Sequence, residues 1–224
     1  MSSAGPRERR AGAALTLALP RGALFAGSLA MLDRAGFDTA GLRSDSRSLI
    51  FALDGLTIVT VRPADVPIYV ESGAVDLGVT GKDVLAEQSD RDVYELVDLG
   101  FGRCRMALAA RAGSSDLERA ETRLGLMRIA TKYPRTATAW FERMGRQAEV
   151  IEVKGSVELA PLVGLADGIV DLVDSGRTLA ENGLEIVDEI AVCTARLIAN
   201  RVAHKLRADE VDAIVKRLGE AAAG

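Results

Sequence analysis

From Leu15 onward, short apolar runs alternate with amphipathic stretches, and that alternation leaves few architectures open to the chain. The runs are Leu15 to Leu19, Ser48 to Leu53, Leu56 to Val61, Val75 to Thr80, Tyr94 to Leu99, Arg105 to Ala110, Arg128 to Thr131, Glu149 to Val153, Ile169 to Val173, Leu184 to Ala191 and Cys193 to Ala199. Each is too short for a buried helix and has the branched or Leu-rich character of a strand. Helical periodicity covers Ala23 to Ala35, Ala64 to Ser72, Lys82 to Gln88, Arg135 to Met144, Val157 to Val163, Arg177 to Asn182 and Asp209 to Gly219. Strands alternating with helices build parallel or mixed sheets covered on both faces. So many strands exceed the needs of one sheet, so two α/β lobes are expected.

An internal echo supports two lobes. Val75-Asp76-Leu77-Gly78-Val79-Thr80-Gly81-Lys82 returns as Val170-Asp171-Leu172-Val173-Asp174-Ser175-Gly176-Arg177, an offset of 95 from Asp76 to Asp171. Each copy reads as a strand with an Asp, then hydroxyl, Gly and cation at a helix start. Unpaired backbone N–H groups and the helix dipole favour an anion there. The alternative reading is two capped helices with a Gly turn and a solvated cation. Leu19-Pro20-Arg21-Gly22 and Lys154-Gly155-Ser156-Val157-Glu158 also place Gly and a cation between strand and helix. Neither a P-loop nor a dinucleotide fingerprint occurs. With Arg47 and Arg62, these turns imply a ligand rich in phosphate, held from both lobes; the alternative for Arg62 is an ion pair with Asp65.

Composition narrows the chemistry. The formal net charge is -4, so no global basic field exists to hold nucleic acid. The cations are 23 Arg and 5 Lys, which suits bidentate recognition of carboxylate and phosphate. One histidine, His204, reads as a surface residue, so a catalytic triad or a His-rich metal site has little to draw on. Cys104 and Cys193 lie in strand-like runs and are too few for a disulfide framework, which fits a reducing cytoplasm. No apolar stretch reaches membrane-spanning length. Residues 1–14 are rich in Ser, Ala, Gly and Arg, and the run after them is broken by Pro20-Arg21-Gly22, so a disordered leader is expected rather than a signal peptide.

Six ordered blocks carry a resemblance: Leu19-Pro20-Arg21-Gly22, Val61 to Val70, Asp76 to Leu85, Phe101 to Cys104, Arg128 to Pro134, and Lys154 through Leu179. From about Leu15 to Asn200 the chain resembles the catalytic subunits of short-form ATP phosphoribosyltransferase, which open histidine biosynthesis. The resemblance implies two lobes like those of a type II periplasmic binding protein, mixed sheets flanked by helices. The expected division is 15–107 with 190–224 as the first lobe and 108–189 as the second. It implies transfer of the 5-phosphoribosyl group from phosphoribosyl diphosphate to N1 of ATP, with Mg²⁺ as cofactor. In that frame Asp171 meets the ribose hydroxyls, and Asp174, Ser175, Gly176, Arg177 and Thr178 cradle the 5-phosphate. Arg47, Arg62 and Arg21 act on the diphosphate. Thr80, Gly81, Lys82, Thr131 and Lys132 join the substrate-binding set. Glu158 serves Mg²⁺, ribose or only its helix cap.

The chain departs from the family pattern at Arg21-Gly22-Ala23, where Lys-Gly-Arg is usual, at Ser175, where Thr is common, and at Arg177. Only 24 residues follow Asn200, so no further folded domain is expected. The resemblance then implies a homodimer within a hetero-oligomer, regulated by a separate subunit resembling histidyl-tRNA synthetase. Two other classes stay open on the residues alone: a binding or sensor protein without chemistry, and a nucleobase-salvage phosphoribosyltransferase. The loops of the latter usually carry two adjacent acids, where Val170-Asp171-Leu172 supplies one.

Overall fold

The computed structural model describes residues 14–44 and 47–223. The expected leader, 1–14, lies outside the described residues apart from Ala14. The chain forms two compact units, unit 1 of residues up to Gly102 together with Thr194–Gly224, and unit 2 of Arg103–Cys193. The expected boundaries at 107/108 and 189/190 are corrected by this division. They would cut β6 (Cys104–Arg111) and β10 (Leu184–Cys193), which pair antiparallel along their whole length and so belong to one unit.

Unit 1 is a six-stranded sheet. Its strands are β1 (Leu15–Pro20), β2 (Ile50–Leu53), β3 (Leu56–Val61), β4 (Leu77–Gly81), β5 (Val93–Asp98) and β11 (Ala195–Asn200), ordered β2-β3-β1-β4-β11-β5. β1 runs parallel to β3 and β4, while β11 enters antiparallel between β4 and β5. β1 is buried on both faces. Leu15, Leu17 and Leu19 meet Leu29 and Leu32 of α1 (Phe25–Arg34) and Val211 and Leu218 of α10 (Ala208–Ala223). Ala18 points to the other face, into a cluster with Val66 and Val70 of α3 (Val66–Glu71). This two-residue alternation between helix layers is why β1 reads as an uninterrupted apolar run.

Unit 2 is a five-stranded sheet of β6, β7 (Met127–Thr131), β8 (Ala148–Glu152), β9 (Gly168–Val173) and β10, ordered β10-β6-β9-β7-β8. Met106, Leu108 and Ile129 pack against Leu117 of α5 (Asp116–Leu124) and Trp140 and Phe141 of α6 (Pro134–Arg143). The opposite face joins Ala107, Ala109 and Ile169 to Val157 and Leu179.

The two sheets share one topology. β3-β1-β4-β11-β5 and β8-β7-β9-β6-β10 have the same sequence of parallel and antiparallel pairings, and unit 1 adds β2 at its edge. The echoed segments therefore lie on equivalent strands, β4 and β9. Their register differs from the sequence echo. The Thr16 N–H donates to Asp76 Oδ2 at 2.8 Å, and the Arg128 N–H donates to Asp167 Oδ2 at 2.8 Å. Each Asp N–H returns a bond to the carbonyl of the same partner, and each Asp stands just before its strand. Asp76 thus corresponds to Asp167, an offset of 91. The offset of 95 holds only at the helix starts, Lys82 and Arg177. The difference is an insertion of four residues, Val173 to Gly176.

All eleven expected strands form, but the last begins at Ala195, since Cys193 closes β10 and Thr194 lies between. Three helices were not expected: α2 (Ala40–Arg43), α5 and α9 (Arg201–Leu206). Among the described side chains of α5, Leu117 and Ala120 are buried, and the remainder are charged or polar. α9 is started by Asn200, whose side chain accepts the N–H groups of Val202 and Ala203.

Candidate functional site

The four inserted residues lengthen β9 by Val173 and add a three-residue loop, Asp174-Ser175-Gly176, that unit 1 lacks. In unit 1, β4 runs directly into α4 (Lys82–Glu87), with Gly81 extended at the junction. In unit 2, β9 ends at Val173, and Asp174-Ser175-Gly176 lead into α8 (Arg177–Glu181). Gly176 adopts φ +79°, a left-handed conformation that favours glycine. The chain thereby turns into α8 beside a cavity of about 410 Å³ at the carboxyl end of β9. Open α/β sheets bind ligands at such ends.

The cavity is lined by Lys132, Glu158 and the whole stretch Asp171–Leu179. It thus gathers the expected Asp171, Asp174, Ser175, Gly176, Arg177, Thr178, Glu158 and Lys132. Asp174, Ser175, Arg177 and Thr178 are exposed. Sequence reasoning missed the apolar wall of Leu172, Val173 and Leu179, because strand and helix periodicity assign such residues to the core. Asp171 accepts the N–H of Leu172 at 2.9 Å and stands 3.9 Å from Lys132 Nζ. Burial pushes the Asp171 carboxyl above its usual range; the Leu172 N–H and Lys132 oppose this and the charge of Glu158 adds to it. A carboxylate held with this little compensation is a mark of a functional site. Glu158 stands at the start of α7 (Leu159–Leu162), but its side chain makes no capping hydrogen bond there. Of the roles expected for it, the helix cap is therefore corrected.

Thr131 does not line this cavity. It is fully buried, and its Oγ1 accepts the N–H of Tyr133 at 2.9 Å, closing the turn after β7. In unit 1, Thr80 is fully buried and Gly81 is buried at the end of β4. Lys82 Nζ is bound to Glu95 at 2.7 Å, and Arg196 joins Glu95 and Asp98, so the charges of that cluster cancel. Arg21 donates to Thr60 Oγ1 at 3.1 Å and to the Ser48 carbonyl at 3.2 Å, which ties it across the ends of β3 and β2. Arg47 and Arg62 are exposed and make no ion pair among the described residues, so the alternative pairing of Arg62 with Asp65 does not form. By sheet register Arg62, just after β3, corresponds to Lys154, just after β8. His204 is half-buried rather than on the open surface, edge-on to Tyr94 and 3.5 Å from Asp212. Among the described residues no helix is long and apolar enough to cross a membrane.

Comparison with known proteins agrees with this geometry. A curated ATP phosphoribosyltransferase of Rubrobacter xylanophilus is 52% identical over 92% of this chain and 95% of its own length. One from Moorella thermoacetica is 47% identical over 93% of both chains. The solved ATP phosphoribosyl transferase (HisG:HisZ) complex from Thermotoga maritima contains a chain with a TM-score of 0.76 and 34% identity, matched over 93% of this chain and 98% of that one. The periplasmic aliphatic sulphonate binding protein SsuA of Escherichia coli, at a TM-score of 0.59 and 13% identity, shares the fold. The family model for ATP phosphoribosyltransferase matches residues 62–220, which include the whole of unit 2 with its four-residue insertion, and it is to this family that the chain belongs.

Proposed function

We propose that this chain transfers the 5-phosphoribosyl group of 5-phosphoribosyl 1-diphosphate to N1 of ATP, releasing diphosphate, in the first step of histidine biosynthesis. The observation that carries the reading is the cavity of unit 2, which Asp171 lines together with the exposed residues Asp174, Ser175, Arg177 and Thr178. In this reading Asp171 accepts both ribose hydroxyls. The backbone of Asp174 to Thr178, with Ser175 and Thr178 Oγ, receives the 5-phosphate, and Arg177 and Lys132 supply positive charge.

The chemistry asks little of a base. Adenine N1 attacks through an in-plane lone pair, so no proton has to be removed first. The bond from the anomeric carbon to the diphosphate oxygen breaks as the new C–N bond forms, and diphosphate takes the electron pair. The N6 proton, acidified by the new bond, is then lost to solvent. Rate enhancement rests on positioning and on stabilising the leaving group. Arg47 and Arg62 are assigned to the diphosphate, with Arg21 on it or on the ATP phosphates.

Among the described residues no group of three or more His, Cys, Asp or Glu side chains is placed to hold a metal by itself. Glu158 and Asp171 line one cavity, and such a pair fits Mg²⁺, which needs only one or two carboxylates when it arrives on phosphate oxygens. When bound, Mg²⁺ neutralises charge on the departing diphosphate.

The partner in this reading is a regulatory subunit resembling histidyl-tRNA synthetase, and the compartment is the cytoplasm. Support comes from the Thermotoga maritima complex, whose matched chain is covered over 98% of its length. The test is ultraviolet detection of N1-substituted adenine with ATP, phosphoribosyl diphosphate and Mg²⁺, with and without the co-expressed subunit. Product requiring both substrates, and more of it with the subunit, is expected. A folded chain that forms no product in either condition overturns the reading.

A further inference from the structure

The two cysteines stand opposite each other. In the antiparallel pairing of β6 with β10, Cys104 is the register partner of Cys193, next to the pairs Arg105–Val192 and Met106–Ala191. Directly opposed residues of an antiparallel pair point to the same face of the sheet, with Cα atoms about 4.5–5.5 Å apart. That separation falls inside the range a disulfide spans. In this structure both residues are thiols.

Their surroundings differ. Cys104 is half-buried, within reach of a small reagent, whereas Cys193 is 3% exposed. The pair also closes unit 2, because the chain enters it at Arg103 and leaves after Cys193. Two thiols in register, one accessible and one shielded, match the chemistry of an attacking and a resolving cysteine.

We propose that Cys104 and Cys193 form a reversible intrachain disulfide on reaction with a low-molecular-weight disulfide, so that unit 2 carries a redox modification site. The Cys104 thiolate attacks one sulfur of the reagent, giving a mixed disulfide and one reagent thiolate. The Cys193 thiolate then attacks the Cys104 sulfur and expels the second reagent thiolate. Two protein thiols are oxidised, one reagent disulfide is reduced to two thiols, and the two protein protons end, through solvent, on the reagent thiolates. Arg105 of β6 also lies opposite Val173, the last residue of β9 before the site loop. The bond would therefore brace the sheet end from which that loop leaves.

The full chain is incubated with oxidised glutathione, denatured, treated with an alkylating agent and weighed intact. The expected product is lighter than the reduced chain by two hydrogens, takes up no alkyl group and yields, after non-reducing digestion, one peptide pair linking Cys104 to Cys193. Its melting temperature rises, and dithiothreitol reverses the shift. Cys193→Ser is expected to stop at a stable glutathione adduct on Cys104. In the wild-type chain, two alkylated cysteines, a persistent adduct on Cys104, a link between two chains or an unshifted melting temperature would each overturn the proposal.

Discussion

Lys132 Nζ stands 3.9 Å from Asp171 Oδ2, which is ion-pair distance but beyond hydrogen-bond distance. The carboxylate is consequently left with burial and the nearby Glu158 charge against it, and only the Leu172 N–H and a distant cation in its favour. Such an arrangement disfavours the charged folded state and is retained at sites where the charge is used.

Asp171→Asn tests both halves of that statement. Turnover is expected to fall about 100-fold or more, on the scale seen when an aligned polar group is lost from a reacting centre. The melting temperature at neutral pH is expected to hold or rise. The folded pKa lies above the unfolded one, so the native state binds more protons between the two values, and stability declines as pH rises through that window. Paired thermal melts over a pH series starting near the ordinary Asp pKa should show the Asn variant gaining stability relative to the wild type as pH rises. A variant that melts much lower at neutral pH would make Asp171 a structural residue instead.

Arg62 is exposed and makes no ion pair among the described residues, so its removal has little to destabilise. Arg62→Ala should leave the melting temperature within error, since surface substitutions of this kind are usually within about 0.5 kcal/mol. A large fall in kcat with a smaller change in KM is expected from a group that acts on the leaving diphosphate. Unchanged steady-state kinetics would remove Arg62 from the reaction.

Gly176 separates conformational strain from steric conflict. A Cβ at this position would meet only Val173 Cγ1, at 3.8 Å, so the cost of Gly176→Ala comes from φ +79° and should be about 1–2 kcal/mol. Gly125, at the end of α5 with φ +64° and open space around it, is the control. Both alanine variants should lose similar stability, but only Gly176→Ala should raise KM for phosphoribosyl diphosphate. Equal kinetic effects from the two would argue against the loop as the phosphate site.

Asp76 is expected to be structural, although the echo set it beside Asp171. It is 8% exposed, accepts the Thr16 N–H and Oγ1, and lies 3.9 Å from Arg207. Asp76→Ala removes the acceptor of the Thr16 N–H and hydroxyl from a part-buried site and should cost about 1–3 kcal/mol in chemical denaturation. Its soluble folded fraction should keep the wild-type kcat. Loss of turnover out of proportion to unfolding would give Asp76 a role at the site.

Local sequence carried the strand signal in two forms: a parallel strand buried on both faces needs a continuous apolar run, such as Leu15 to Leu19, whereas an antiparallel strand with one face open alternates, as β10 does. The turn at Asp174 to Thr178, which lines the cavity, was legible for a similar local reason: a hydroxyl, a glycine and a cation directly after an apolar run mark a passage from strand to helix. Tertiary structure alone decided which Asp corresponds to which. Local resemblance aligned Asp76 with Asp171, whereas the backbone bonds from Thr16 and Arg128, residues 60 and 39 positions away, align Asp76 with Asp167. The folded structure also decided which suitable residue types are already engaged: Lys82 is bound to Glu95 within unit 1, and Thr131 is buried with its Oγ1 accepting the Tyr133 N–H. Register across a sheet is set by bonds between distant segments, and no window of neighbouring residues contains them.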